Sequence, residues 1–259
     1  YEIGSGLVGS EMCIRDSVGT ATQTEVEEQV DLMYSLIHQQ VDAIVLVPID
    51  SKALVQPVVE AVRKGVPVIN IDIRLDTQLL EQAGVEVAFV GPDNFAAAYE
   101  VGKLLDKKLR NEDKVAIIEG LAAADNAQQR KRGFIKAIEE KGLRLVASEP
   151  ADWETEKAAE VFQAMWMRYP DLKAVYCSND AMALGVLQQM QEKNCYLPVV
   201  GFDNDAVMKE FLSTGKLVAT ADIFSSQMAV RGIEFALDVL EGKIENRGVH
   251  STAYEIIKQ

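Results

Sequence analysis

Short apolar runs alternate with longer amphipathic runs along most of the chain, and this alternation predicts its secondary structure. From Val18 onward the apolar runs are short, rich in Val, Ile and Ala, and flanked by polar residues, as buried parallel strands are. Strands are predicted at 43–48, 67–72, 87–91, 114–120, 144–150, 174–180, 198–203 and 217–223.

The segments between these runs carry apolar residues at helical spacing. One helix is predicted to start on Ser51 as its N-terminal cap and to stop at Gly65. Repeated strand–helix units indicate an α/β protein with doubly wound parallel sheets. Because the units are too many for one compact sheet, we expect two such lobes. Further helices are predicted at 94–109, 127–142, 154–170, 181–194 and 225–243.

Residues 1–17 differ in character from the rest of the chain. The stretch LVGSEMCIRDS is the translation, in one frame, of a transposon-type sequencing adapter. We therefore interpret 1–17 as adapter-derived and expect the native chain to begin before Val18.

Composition narrows the classes of function. The formal net charge is −14, which argues against nucleic acid as a partner because phosphate contacts need a basic face. Cys177 and Cys195 either pair as a disulfide or remain thiols, and two thiols are favoured. There is no Cys-x-x-Cys motif and no Cys/His cluster, so no metal site is expected.

Polar side chains recur directly after the predicted strands, where ligands bind in open α/β sheets. Carboxylates, amides and a guanidinium hold hydroxyl groups through strong hydrogen bonds, and an aromatic face packs against the C–H face of a sugar ring. This inventory indicates an uncharged ligand rich in hydroxyl groups. The residues are Asp50, Asp72, Arg74, Asp93, Asn94, Trp153, Asn179, Asp180, Asp203, Asn204 and Asp222, with Arg130 early in the helix after the fourth strand.

Simpler roles compete for some of these positions. Asp50, Asp93 and Asp205 could each be only a helix cap. Asp180 could cap the helix that follows it, and Trp153 could be a core residue.

Signals of an enzyme are missing from the sequence. No strand is followed by Gly-x-Gly-x-x-Gly, and neither a phosphate-binding loop nor His-Glu-x-x-His is present. We therefore expect neither catalysis nor a cofactor.

Seven segments together resemble the ribose-type periplasmic sugar-binding proteins of ABC importers. The resemblance runs in order from Val18 to Gln259 and implies the type I fold of two α/β lobes, which lactose-repressor-type regulators share. The segments are VDAIVLVPIDSKAL, PVINIDIRLD, VGPDNFAAAYEVGKLL, ADNAQQRKRGF, ASEPADWETEKA, YCSNDAMALG and VVGFDNDAVMKEFLSTGKLVATAD.

The resemblance also implies where the lobes divide. Three crossings are expected, near Gly91–Pro92, Asp222–Ile223 and Val249–Ser251. Lobe one would comprise 18–91 plus 224–249, and lobe two 92–223 plus 250–259.

A ligand set follows from the same resemblance. Asp72 and Arg130 would be charged clamps, Trp153 would stack on the sugar, and Asn179 and Asp203, beside Phe202, would bind hydroxyl groups. Four further residues complete the predicted set: Arg74, Asp125, Asn126 and Asp222.

The chain departs from the family at several positions. Val47, Pro92 and Ile223 replace polar family residues, which favours a pentose, hexose or polyol other than ribose. About 40 residues of the family's first strands have no counterpart, so we expect a truncated lobe one, an exposed sheet edge and weak sugar binding by the chain as it stands.

The predicted function is capture of a monosaccharide or polyol for the permease of an ABC importer, by hinge closure of the two lobes. The protein would be a monomer in the periplasm, or lipid-anchored outside the cell membrane, with an export signal not present in this chain. The alternative is the ligand-sensing domain of a lactose-repressor-type regulator.

Overall fold

The computed structural model describes residues 17–258, so the segment interpreted as adapter-derived lies, except for Ser17, outside the described residues and that interpretation stays a prediction. Within 17–258 helices and strands alternate, as the apolar pattern predicts. The helices are α1 Val26–His38, α2 Val55–Arg63, α3 Thr77–Ala83, α4 Asn94–Asp106, α5 Asp125–Lys141, α6 Thr155–Arg168, α7 Asp180–Glu192, α8 Met208–Ser213 and α9 Ser225–Leu240. The strands are β1 Ile44–Leu46, β2 Val68–Ile71, β3 Phe89–Gly91, β4 Lys114–Glu119, β5 Arg144–Pro150, β6 Ala174–Cys177, β7 Val199–Val200, β8 Leu217–Asp222, β9 Val249–Ser251 and β10 Glu255–Lys258.

The strands form two sheets. The first has the order β1-β2-β3-β9 and is parallel, and the second has the order β10-β8-β7-β6-β4-β5, in which only β10 is antiparallel. Each of the eight predicted strands is present, usually shortened by one to three residues. The strands β9 and β10 were not predicted, because they are short and largely exposed.

The chain passes between the sheets at three places, after β3, after β8 and between β9 and β10. Helix α9 follows the second passage and packs on the first sheet, mainly against β2. Its Gly232 lies against Val45 and Ile71 so closely that a Cβ would meet their methyl groups. The exact bounds of the lobes stay a prediction.

Apolar side chains fill both faces of the second sheet. Phe162, Met182 and Val186 belong to the cluster on one face, and Phe134 and Tyr176 to the cluster on the other, where their rings lie 5.4 Å apart. Ile73, which follows β2 of the first sheet, is buried in the first of these clusters. The loop after β2 is therefore packed against the second sheet.

A side chain forms hydrogen bonds with the backbone along the outer edge of β1. Among residues 17–258, β1 has a strand neighbour on one side only. On the other side, the Gln29 amide donates to Val47 O at 2.8 Å and accepts from Ile49 N at 2.9 Å. These are the two backbone groups that one residue of a parallel neighbour would engage.

Within the described residues, no helix has the combined length and apolarity of a membrane span. Cys177 is buried, Cys195 is half-buried, and both are free thiols.

Candidate ligand-binding site between the two sheets

Arg130 occupies the centre of the candidate site, on the second turn of α5. Its side chain is 3% exposed. The Nε group donates to Asn94 Oδ1 at 2.9 Å, and Nη1 donates to the carbonyl of Ser178 at 2.8 Å. Nη1 also lies 3.2 Å from Asp203 Oδ1. Because its partners come from three separate elements, the guanidinium is fixed before any ligand arrives.

Two aromatic rings lie close to this guanidinium. Its central carbon is 3.7 Å from the centroid of the Phe202 ring and 5.5 Å from that of Trp153. Such cation–π contacts strengthen as the pair is removed from water, and Phe202 is fully buried. The Trp153 indole lies directly over Gly120, where a Cβ would overlap the ring.

Two carboxylates, Asp72 and Asp203, share the single positive charge of Arg130. Burial raises the pKa of Asp203 to about 7, although Arg130 acts in the opposite direction. Burial likewise raises the pKa of Asp72, again against the effect of Arg130. Asp72 Oδ1 is buried without a hydrogen-bond partner among the described residues. A buried carboxylate oxygen without a donor is costly, so it indicates a donor that a ligand supplies.

Backbone strain is concentrated at the same residues. Asp72 has a φ of +62°, Trp153 of +69° and Asp203 of +104°. Residues other than glycine rarely adopt such angles, and each costs about 1–3 kcal/mol. Strain of this kind persists where the surroundings enforce it, typically at ligand-binding positions.

Asn179, at the end of β6, faces this cluster and caps α7. Its Oδ1 accepts from Met182 N at 2.9 Å, and its Nδ2 lies 3.5 Å from the carbonyl of Trp153. The alternative in which Asp180 caps α7 is wrong. Asp180 is fully buried and accepts from Thr220 Oγ1 at 2.9 Å, and burial raises the pKa of its carboxyl group to about 7.

The structure thus brings six of the ten predicted ligand residues together: Asp72, Arg130, Trp153, Asn179, Phe202 and Asp203. Trp153 is also a core residue, since it is 8% exposed and packs within the cluster on one face of the second sheet. The core alternative for Trp153 is therefore confirmed, and its stacking on a sugar stays a prediction.

The other four predicted ligand residues form no hydrogen bond or ion pair with Arg130 within residues 17–258, although Asn126 precedes it by four residues on the same helix. Arg74 lies over the Phe89 ring, at 5.5 Å from its centroid. Arg74 and Asp125 line a cleft of about 840 Å³ between the loops after β1 and β2 and the start of α5. The Asn126 side chain is buried and accepts from Ala127 N.

Asp222 is engaged within the second passage between the sheets. Its Oδ1 accepts from Phe224 N at 2.7 Å, and its Oδ2 accepts from Asn204 Nδ2 at 2.9 Å. Phe224 itself has a φ of +52°. Both carboxylate oxygens are thus used to shape the backbone where the chain leaves the second sheet.

Two residues of this region were not part of the predicted ligand set. Asn94 follows β3 and accepts a hydrogen bond from Arg130. Its position after a strand indicates a polar role but does not identify this partner. Ser51 was predicted to cap the helix that becomes α2, and that prediction is wrong. The N-cap residue of α2 is Leu54, and no side chain caps the helix. Asp50 accepts from Lys52 N and Ala53 N in the turn before α2, while Ser51 bonds to the segment at the start of α5.

The arrangement can hold a neutral polar ligand. It combines two carboxylates, a fixed guanidinium, an amide and an indole, and within residues 17–258 no group of three or more potential metal ligands is present. The model of the periplasmic binding protein domain matches residues 10–244. The chain belongs to the periplasmic binding protein family.

Curated members of this family are similar over most of the chain. The D-ribose/D-allose-binding protein of Pseudomonas aeruginosa is 41% identical over 246 residues, which cover 93% of this chain and 77% of that protein. The D-allose-binding periplasmic protein of Escherichia coli is 32% identical over 228 residues, which cover 86% of this chain and 73% of that protein.

Solved structures of the family share the fold. An ABC transporter solute-binding protein from Burkholderia multivorans matches with a TM-score of 0.88 and 39% identity, over 91% of this chain and 84% of that chain. A periplasmic solute-binding protein from Actinobacillus succinogenes, solved with bound D-allose, matches with a TM-score of 0.84 and 32% identity, over 90% and 84%.

The predicted fold class and the predicted class of function are confirmed. Its relatives are sugar-binding periplasmic proteins and ABC transporter solute-binding proteins and not enzymes, so the transport role is favoured over that of a repressor's sensing domain.

Proposed function

We propose that this protein binds an aldopyranose with the configuration of D-allose, in a pocket centred on Arg130. The arrangement of Asp72, Arg130 and Asp203 carries the proposal. Asp72 Oδ1 has no donor of its own, and the described bonds of Arg130 use Nε and Nη1, which leaves the Nη2 hydrogens for a ligand oxygen. Adjacent sugar hydroxyl groups both donate and accept, so they match this pairing.

The names of the relatives support the choice of sugar. D-allose and D-ribose have the same configuration at C2, C3 and C4, and both appear in the name of the Pseudomonas aeruginosa relative. D-allose carries one more carbon, and the departures at Val47, Pro92 and Ile223 favour a sugar other than ribose. We therefore place D-allose first.

Closure of the two lobes accompanies binding in this proposal. Asp72 belongs to the side of the first sheet, and Arg130, Trp153, Asn179 and Asp203 belong to the side of the second. A ligand bonded to both sides stabilises the closed state by its differential affinity for that state. The lobes would be 18–91 plus 224–249 and 92–223 plus 250–259, and Asp222 would shape the hinge and not contact the sugar.

The cellular location and the transport partner are proposed from the family. The protein would act as a monomer in the periplasm, or anchored by lipid outside the cell membrane, and would deliver its sugar to the permease of an ABC importer.

Calorimetric titration with two pairs of C3 epimers tests the sugar. D-allose and D-ribose are expected to bind at least about tenfold more tightly than D-glucose and D-xylose respectively, because a misplaced hydroxyl leaves a buried polar group unpaired. Equal affinity within both pairs would contradict the proposal.

A pair of carboxylate variants tests the site. Asp203→Asn is expected to abolish the rise in melting temperature that D-allose produces, because it weakens the pairing with Arg130. Asp205→Asn makes the same charge change two residues away, at an exposed side chain, and is the matched control. Equal ligand-induced shifts in the two variants would count against the site.

A further inference from the structure

Ser51 makes the most direct polar contact between the two sheets outside the sugar site. Its amide donates to the carbonyl of Ala123 at 3.0 Å, and its Oγ accepts from the amide of Asp125 at 2.9 Å. The residue follows β1, whereas Ala123 and Asp125 lie between β4 and the first turn of α5. Ser51 is 6% exposed, so this pair of hydrogen bonds is shielded from water.

Ser51 is held in place from its own side of the cleft. Its carbonyl accepts from the amide of Asp76 at 2.8 Å. The preceding residue, Asp50, accepts from Lys52 N at 2.7 Å and from Ala53 N at 2.8 Å, which closes the turn around Ser51. Ser51 therefore presents one donor and one acceptor in a fixed direction, with little conformational entropy left to lose.

An apolar contact lies beside the same bonds. Ile73 follows β2 and is 4% exposed, within a cluster that contains Ala124 and Trp153 of the second sheet's side. The turn that bonds to Ser51 is thus also covered by Ile73. Ser51 and Ile73 are set on the loops after neighbouring strands of the first sheet and face the same short segment.

These contacts are made by protein groups alone and join the two sides of the cleft. We propose that Ser51 is a closure latch, a residue that raises the affinity for every sugar by the same factor although it touches none. The inference rests on the family function of closure around a sugar. If only the closed state binds tightly, the apparent dissociation constant equals the intrinsic constant divided by the fraction of competent molecules, so a contact that favours closure improves affinity without altering selectivity.

Two readouts in the variant Ser51→Ala test the latch. Removal of Oγ leaves the Asp125 amide without its acceptor and is expected to weaken D-allose and D-ribose binding by the same factor, about tenfold. The ratio of the two affinities stays unchanged. In the sugar-free protein, the amides of residues 51 and 125 are expected to exchange hydrogen faster, because both are protected only in the closed arrangement.

Controls separate the latch from the site and from general destabilisation. Lys52→Ala alters an exposed neighbour in the same turn and is expected to leave both readouts unchanged. Ser51→Thr retains the hydroxyl acceptor and is expected to restore protection of the Asp125 amide. Amides of β6, an interior strand of the second sheet, report whether the fold itself has changed.

The outcomes that would overturn the latch are distinct from those that would overturn the proposed sugar. A changed ratio of affinities in Ser51→Ala would place Ser51 in contact with the ligand, and unchanged affinity with unchanged exchange would show that the contact has no effect on closure. If the unaltered protein binds neither D-allose nor D-ribose, the proposed function fails, and sugar-free hydrogen exchange alone decides whether Ser51 holds the lobes together.

Discussion

Arg130 lies over the ring of Phe202, with its guanidinium carbon 3.7 Å from the ring centroid, and Asp203, the residue after Phe202, is its ion-pair partner. One short segment thus supplies both the apolar surface and the counter-charge of a single buried cation. Phe202 excludes water from the pair, which strengthens the attraction between Arg130 and Asp203.

The geometry around Arg130 predicts that lysine cannot replace it. Lysine keeps the charge but has no planar fork, so it cannot bond to Asn94 and the Ser178 carbonyl while it stacks on Phe202. Arg130→Lys is expected to lower the free energy of unfolding by about 1–3 kcal/mol and to weaken sugar binding about a hundredfold. Denaturant unfolding and calorimetry measure the two effects.

Arg132→Lys is the matched control for this change, because Arg132 is exposed and lies one half-turn further along α5. It is expected to leave both quantities within error of the original protein. Equal affinity losses in the two variants would contradict the central role of Arg130.

Gly120 is predicted to set the position of the Trp153 indole. A methyl group at residue 120 would overlap the ring, so Gly120→Ala is expected to push the indole away from Arg130. Overpacking of this kind lowers the free energy of unfolding by about 1–3 kcal/mol. Tryptophan fluorescence is expected to shift as well, since Trp153 is one of only two tryptophans in the chain.

The double variant Gly120→Ala/Trp153→Leu separates overlap from backbone effects. In the Trp153→Leu background, Gly120→Ala is expected to lower the free energy of unfolding by less than it does in the original protein. Additive losses would show that the indole is not what Gly120 accommodates. Gly19→Ala, where a Cβ meets nothing within 4 Å, is the neutral control.

Asp180 is predicted to make stability depend on pH. Burial raises the pKa of its carboxyl group to about 7, above the ordinary value near 3.8, so between these two pH values the folded state holds a proton that the unfolded state has released. The contribution of Asp180 to stability therefore falls as pH rises from about 4 to about 7 and is constant above that range.

The variant Asp180→Asn removes this titration while an amide oxygen remains to accept from Thr220. The difference in unfolding free energy between the variant and the original protein is expected to shift in favour of the variant as pH rises from 4 to 7. A difference that is independent of pH over this range would refute the raised pKa of Asp180.

The two thiols in the described region are predicted to differ in reactivity. Burial raises the pKa of Cys177 well above that of an ordinary thiol, and the thiolate is the reactive form. In the variant Cys13→Ser, native labelling with iodoacetamide followed by mass spectrometry is expected to modify half-buried Cys195 and spare Cys177. Equal labelling of both thiols before unfolding would contradict this order.

Most of the architecture could be predicted because buried parallel strands leave a strong signal. Runs such as 43–48 and 174–177 are apolar throughout, and the segments that separate such runs have helical spacing, so the pattern distinguishes strands from helices. The strands β9 and β10 lack that signal. Every residue of β9 is exposed, and β9 and β10 depend on pairing with strands about 160 and 35 residues earlier in the chain.

The site was predictable only to the level of residue type and position after a strand. That rule named Asp72 and Asp203 together with Asp222. Whether a carboxylate remains available depends on partners distant in sequence, as the bond of Asp222 to Asn204 shows. Local reasoning also assigned Ser51 to the cap of α2. Serine caps helices well, but Ala123 and Asp125, which are distant in sequence, engage Ser51 instead.

The amide of Gln29 limits how another chain could add to the first sheet. The Gln29 amide already bonds to Val47 O and Ile49 N. A strand that added beside β1 would therefore either end before Val47 or displace the Gln29 side chain from both hydrogen bonds. An added strand could therefore pair only with Ile44–Leu46, so polymerisation through this edge of the sheet would begin from a contact of only three residues.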